Sequence, residues 1–190
     1  MEKDKRMTQG RQMSIKRKAL SLFIPGLYCR PMIKTVKELN NGHRGLVGVE
    51  VGVAEGLNAY NILRCLDMRC LYLVDSYQGV WARSYPLARR LLRRYRDRIV
   101  FIDKDSVSAV ECLPDSLDFV YLDGDHSYDG VYSDFYAYYP KIKDGGLIGG
   151  HDFNRHGLKG VVRFVGELYD RYGSRLVYAT GDDWWMVKKS

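Results

Sequence analysis

One apolar run of this chain ends in three side chains able to bind polar ligands or move protons. They are Asp123, Asp125 and His126, in FVYLDGDHSYDGV (119–131). Two carboxylates and an imidazole so close together suit hydrogen bonding to a ligand or general-base chemistry. Other apolar runs close on comparable tips. GLVGVEVG (45–52) carries Glu50 and continues into VAEG, CLYLVDS (70–76) ends at Asp75-Ser76, IVFIDKDS (99–106) at Asp105-Ser106, and GGLIGGHD (145–152) at His151-Asp152. Gly52 and Gly56 let the backbone turn sharply and approach a ligand, with a helix N-terminus following. Their spacing is not the GxGxxG of dinucleotide-binding sheets, which counts against an NAD-linked oxidoreductase. A carboxylate at the tip of a second strand, as Asp75 would be, is where nucleoside-binding sheets accept hydrogen bonds from ribose hydroxyls. Asp105 with Ser106 could receive an adenine amino group or cap the next helix. Neither a Ser-His-Asp hydrolase elbow nor a P-loop is present.

Regular alternation of elements from residue 34 onward positions these tips. The near-continuous β-rich runs 45–52, 70–76, 99–106, 117–124 and 145–152 read as strands buried on both faces. Between and after them, 57–66, 84–98, 127–140 and 158–173 have helical spacing. Ser84 and Ser127 are placed to cap, Pro140 to stop and Gly173 to close a helix in the left-handed conformation. RLVYATGDDWWMVKKS adds two strands, 175–180 and 184–189, around a Gly-Asp-Asp turn. Trp184 and Trp185 are expected to split between core and surface. The fold class predicted is α/β: a doubly wound, Rossmann-like seven-stranded sheet, mostly parallel, with an antiparallel C-terminal hairpin strand. Ligands of such sheets lie beyond the carboxyl ends of the strands, where Asp123, Asp125 and His126 fall.

Bulk properties bound the rest. A chain of 190 residues is one ordinary domain in size, and 46% hydrophobic with 28% charged residues is globular composition. No stretch approaches the roughly 20 apolar residues of a membrane span. The net charge of +7 is concentrated in residues 1–44, where eleven Lys/Arg face three acids. Residues 1–44 therefore read as a basic N-terminal arm with cap helices, and 45–190 as the functional domain. Pro25 and Gly26 interrupt the apolar run behind the first basic residues, and no small-x-small cleavage site follows, which disfavours a secretory signal. Cys29, Cys65, Cys70 and Cys112 lack metal-type CxxC pairing and suit reduced thiols in a cytoplasmic protein. A second basic segment, Arg83 to Arg98, holds seven arginines against Asp97. It reads as a solvated helix face, with Leu87, Leu91, Leu92 and Tyr95 inward, or as a positive rim for an acidic partner.

Taken in order, VEVGVAEG, LYLVDS, KDS, LDFVYLDGDHSYDGV and KIKDGGLIGGHDF resemble the successive motifs of class I S-adenosylmethionine-dependent methyltransferases. The likeness is to the small branch with I-D-G-D-H-x-Y and G-G-x-x-x-G-H-D motifs, similar to metal-dependent sugar and natural-product O-methyltransferases. It implies that Glu50, Gly52 and Gly56 border the methionine end of the cofactor, that Asp75 with Ser76 holds the ribose, and Asp105 with Ser106 the adenine. Asp123 would lie beside the reactive sulfonium. In related O-methyltransferases that position and an acidic pair after the fifth strand bind a divalent cation; here His151-Asp152 stand in place of two carboxylates. The resemblance thus implies a site for Mg²⁺ or another divalent cation from Asp123, His151 and Asp152, with Asp125 or His126 as general base.

The function expected is methylation of a hydroxyl on a small or glycosyl acceptor, which the basic segments would allow to be acidic. A nucleic-acid methyltransferase using the basic arm is the alternative, but the N/D-P-P-Y/F signature of base amino-group methylation is absent. A non-catalytic S-adenosylmethionine-binding module has no need for Asp123 and Asp125 beside the methyl group. An arm that crosses to a second subunit would make a homo-oligomer.

Overall fold

The structure is a computed structural model that describes residues 29–41, 43–153, 159–173 and 177–189. The helix or mobile arm expected over residues 1–24 lies outside the described residues. Seven strands form one sheet: β1 (Leu46–Val51), β2 (Met68–Val74), β3 (Ile99–Ile102), β4 (Leu117–Leu122), β5 (Ile142–Gly150), β6 (Val177–Thr180) and β7 (Asp183–Val187). Their order is β3-β2-β1-β4-β5-β7-β6; β1 to β5 run parallel, while β7 is antiparallel to both β5 and β6. The predicted doubly wound sheet with an antiparallel end is therefore present. The strand order reverses between β1 and β4, which opens a crevice at their carboxyl ends.

Both faces of the sheet are covered, which is why β1 and β4 are buried at every position. On one face α4 (Tyr128–Tyr138) and α5 (Lys159–Tyr172) pack Phe135, Tyr138, Phe164 and Leu168 against Val49, Val120, Ile148 and Trp184. On the other, α1 (Pro31–Leu39), α2 (Leu57–Cys65) and α3 (Ser84–Leu91) pack Ile33, Ile62 and Ala88 with Leu71, Leu73, Phe119 and Trp185. Trp184 and Trp185 are thus both buried, at 1% and 6% exposure, and not divided between core and surface. With β5 on one side and β6 on the other, β7 is internal, so its alternate side chains enter the two cores.

Local chemistry explains the elements. Ser127 caps α4 by accepting from the Gly130 N–H at 3.0 Å, and Gly173 closes α5 at φ +74°. The single helix predicted over 84–98 is two pieces, α3 followed by a 3₁₀ segment (Arg93–Arg98), with Ser84 as its first residue and Arg83 at the cap position. Like charges stack at Arg89/Arg93 and Arg90/Arg94 and disfavour continued α-helix. The tighter winding leaves Tyr95 in the core against Tyr60. Leu87, expected inward, is 49% exposed. No helix among the described residues is long and apolar enough to cross a membrane.

Candidate active site

Strand register brings the polar tips level. Val51 pairs with Val74 and Leu122, Val74 with Ile102, and Leu122 with Gly150, so the next residue of each strand opens on one edge. Gly150 also pairs with Trp184, which sets Asp183, the first residue of antiparallel β7, at that same edge. A cleft of about 1170 Å³ runs along it. Glu50, Gly52, Asp75, Ser76, Asp105, Ser106, Asp123, Asp125, His126, His151 and Asp152 all line this cleft. Of the site residues expected from sequence, Gly56 alone is off the lining. At φ +80° it starts α2 where a Cβ would press on Ala88 at 3.3 Å, so its task is close helix packing.

At the crevice floor Glu50 is fully buried, and neither its two oxygens nor the amide atoms of neighbouring Asn58 have a hydrogen-bond partner. Burial pushes the Glu50 carboxyl up to about 8, helped by the charges of Asp123 and Asp75 and offset in part by Asn58 and Arg30. Unsatisfied buried polar groups are costly, and here they face a cleft with room for a polar ligand. Gly52, at φ +84°, crosses so close to β4 that a Cβ would lie 2.2 Å from the Asp123 carbonyl oxygen. Any other residue would push the crevice open.

Asp75 ties the glycine turn to β2. One carboxylate oxygen accepts from the Val53 and Ala54 N–H groups, each at 2.9 Å, and the other from Tyr77 N–H at 2.8 Å. A carboxylate offers about four lone-pair sites, so one is left for a ligand hydroxyl. Asp105, also on the cleft, is exposed and accepts from the Ser108 N–H at 2.9 Å, at the start of a short 3₁₀ turn (Ser108–Cys112). Asp125 likewise spends its oxygens on Ser127, on the N–H at 2.8 Å and the hydroxyl at 2.9 Å.

Asp123, His126 and Asp152 form the tightest cluster, one ligand atom from each lying within 4.8 Å of the others. His126 Nδ1 is 2.6 Å from the Gly124 carbonyl oxygen, which can only accept, so that nitrogen holds a proton. Its Nε2 faces Asp152 Oδ2 at 2.5 Å and Asp123 Oδ1 at 3.7 Å. The Asp152 hydrogen bond raises the pKa of His126 against the opposing effect of burial, with the charges of Asp152 and Asp123 adding to it. Burial opposes ionisation of Asp152, but the two imidazoles hold it well below the ordinary carboxylate range. Burial raises Asp123, against Arg30 and His151. An imidazole with Nδ1 fixed by a carbonyl and Nε2 turned to two carboxylates is a donor set that could hold a divalent cation. His151, also expected as a ligand, lies next to this cluster: its Nδ1 is 2.9 Å from Asp152 Oδ1 and 3.9 Å from Asp123 Oδ1.

Sequence reading missed Arg30, Tyr121, Asp134 and Asp183. Arg30, just before α1, lies 3.8 Å from Asp123 and 3.5 Å from Asp183, with its guanidinium over the Tyr121 ring. Asp183 accepts from the Tyr121 hydroxyl at 2.9 Å and the Met32 N–H at 3.2 Å, so a carboxylate from β7 caps α1 and docks it. Nothing local in the sequence announces a capping partner 151 residues away. The arginines of 83–98 do not line the cleft.

Among solved structures, a presumed caffeoyl-CoA O-methyltransferase from Staphylococcus aureus superposes with TM-score 0.64 at 16% identity, covering 85% of this chain and 84% of that one. An O-methyltransferase from Bacillus cereus, in complex with S-adenosylhomocysteine, gives 0.61 at 19%, covering 93% and 90%. An rRNA methylase from Streptococcus thermophilus gives 0.62 at 11%, covering 85% and 98%. At such identities these likenesses establish the fold, which is shared by enzymes with different acceptors. No curated protein sequence matches the chain. The family model described as "Methyltransferase domain" matches residues 49–153, more than half of the chain and all five parallel strand tips after Leu46–Gly48. This chain therefore belongs to that methyltransferase family, with S-adenosylmethionine as the methyl donor.

Proposed function

We propose that the protein methylates a hydroxyl group on a small or glycosyl acceptor, with a divalent cation held by Asp123, His126 and Asp152. The observation that carries this reading is the level row of acidic strand tips lining one cleft at the topological switch. Glu50 and Asn58 would take the methionine amino group, the remaining lone pair of Asp75 a ribose hydroxyl, and the Ser106 side the base.

Methyl transfer from a sulfonium needs little covalent help, so the chain's task is in-line placement and removal of the acceptor proton. A divalent cation in the Asp–His–Asp cluster would bind acceptor oxygens and lower the pKa of the hydroxyl. The two histidines then exchange the roles expected from sequence. His126, with both nitrogens directed at acceptors, holds the ligand set. His151 is oriented through Nδ1 by Asp152, and its Nε2 is 3.9 Å from Asp182 at the cleft rim, the geometry of a general base. Arg30 keeps Asp123 and Asp183 apart as charges and pins α1 over the site. Four free cysteines support a reducing, cytoplasmic setting.

Calorimetric titration with S-adenosylhomocysteine tests the reading. Wild-type protein is expected to bind and Asp75→Ala to lose binding. A folded wild-type protein that binds nothing would overturn it.

A further inference from the structure

Between the buried rings of Tyr77 and Tyr95 the chain presents a surface that methyl transfer does not use. Gln78 to Arg83 are all exposed. Their 3₁₀ turn (Gly79–Trp81) is held by its own backbone, with Trp81 N–H donating to the Gln78 carbonyl at 3.1 Å and Ala82 N–H to that of Gly79 at 3.3 Å. At Gly79, φ +59°, nothing lies within 4 Å of where a Cβ would stand, so the turn stands clear of the body. It carries Val80 at 85% and Trp81 at 56% exposure, and Leu87 follows on α3 at 49%. Single exposed apolar residues are ordinary, but three large ones within eight positions are a concentration that asks for a partner.

The charge around them has one sign. Ser84 and Ala88 are the buried residues of α3, which leaves Arg83, Leu87 and Arg90, at i, i+4 and i+7, on one outward stripe. Every charged side chain from Gln78 to Arg94 is an arginine: Arg83, Arg89, Arg90, Arg93 and Arg94. Among the described residues none of these pairs with a carboxylate; the ion pairs of the segment fall later, at Arg96 and Arg98. On the other face of the sheet, α4 and α5 carry four acids against three bases, so the excess is local. We propose that the Gln78–Arg94 surface holds the protein peripherally on an anionic phospholipid bilayer. Val80, Trp81 and Leu87 enter the boundary between headgroups and acyl chains, where an indole is favoured. The guanidinium groups take headgroup phosphates, which they match with paired hydrogen bonds. RNA would use the arginines and could stack a base on Trp81, but it has no use for the aliphatic side chains of Val80 and Leu87. Trp81 also lines the cleft, so binding brings the cleft rim to the membrane surface.

Titration of the full chain with vesicles of phosphatidylcholine alone, and of an equal mixture with phosphatidylglycerol, tests the proposal. Of the three tryptophans, Trp184 and Trp185 are buried, so a change in emission reports Trp81. The mixed vesicles are expected to shift that emission to the blue, brominated acyl chains to quench it, and rising salt to reverse both. Arg83→Gln and Arg90→Gln should each weaken binding about fivefold, and Val80→Ser and Leu87→Ser each by about fivefold or more. All four side chains are exposed, so melting temperatures should stay at the wild-type value. No binding to mixed vesicles, or equal binding to neutral ones, overturns the proposal. Vesicle binding that leaves Trp81 emission unshifted, or that the four substitutions do not weaken, also overturns it and gives the membrane contact to the basic residues before Cys29. Arginine-dependent retention of RNA without vesicle binding would give the surface to nucleic acid instead.

Discussion

Glu50 carries a carboxyl moved by burial from 4.5 to about 8, with no hydrogen-bond partner. Below pH 4.5 it is neutral in the folded and unfolded chain alike. Between 4.5 and 8 the unfolded chain ionises it while the folded protein keeps the proton, so stability is lost as pH rises through that window. Glu50→Gln should therefore gain thermal stability over wild type, increasingly from pH 5 to 8, by about 2–4 °C per kcal/mol relieved. The same variant should bind S-adenosylhomocysteine about tenfold more weakly, because glutamine, unlike Glu50, cannot give up a proton to meet the charged ligand amino group. Melting curves and calorimetry across pH check both; equal stability of the two proteins at pH 8 would argue against a costly buried acid. His126→Ala should weaken Mn²⁺ binding by tenfold or more, and His151→Ala by far less, as read by titration of the free protein. Because His126 must shed its proton to ligate and its pKa is raised, Mn²⁺ affinity should fall on acidification, more steeply in wild type than in His126→Ala.

Elements place these residues, and two substitutions test the placing. Asp183 closes the N-terminus of α1 from across the sheet, so Asp183→Ala should cost about 1–3 kcal/mol in denaturant unfolding. It should also release Arg30 from the site; an unfolding midpoint like that of wild type would refute the docking role. Gly52→Ala forces a Cβ onto the Asp123 backbone at 2.2 Å, and cofactor affinity should collapse, because β1 and β4 must separate to admit it. Much of this was legible beforehand. Five apolar runs with polar tips, read at strand spacing, give the parallel sheet and its working edge, since register makes those tips level. The breaks were less visible. A helix over 84–98 fits the apolar period, and only stacked arginines hint that it tightens after Leu91. The paired tryptophans look half-exposed until β6 is known to cover the outer side of β7. Long-range capping by Asp183, and the choice of His126 over His151 against Asp123, depend on side-chain directions that spacing does not encode. Asp134 did leave a signal: an acid on the α4 stripe, three residues after Val131 and four before Tyr138.

Seen as a whole, the molecule separates its charge from its chemistry. The seven arginines of 83–98 lie off the cleft; Arg94 and Arg98 stack on Tyr95, and Arg89 on Tyr85. Replacing exposed Arg90 and Arg93 with glutamine should change stability by less than about 0.5 kcal/mol each and leave cofactor affinity as it is. Within the cleft, acids outnumber bases, which suits a cationic donor and a divalent ion better than a polyanion. The central claim is that consecutive strand tips form one pocket for adenosine joined to methionine, beside an ion site. A crystal of the protein soaked with S-adenosylhomocysteine and Mn²⁺, measured at the manganese edge, addresses it directly. The account predicts the amino-acid end at Glu50, ribose oxygens on Asp75, and an anomalous peak among Asp123, His126 and Asp152. Ligand density elsewhere, or an edge of the sheet left empty at saturating ligand, would contradict it.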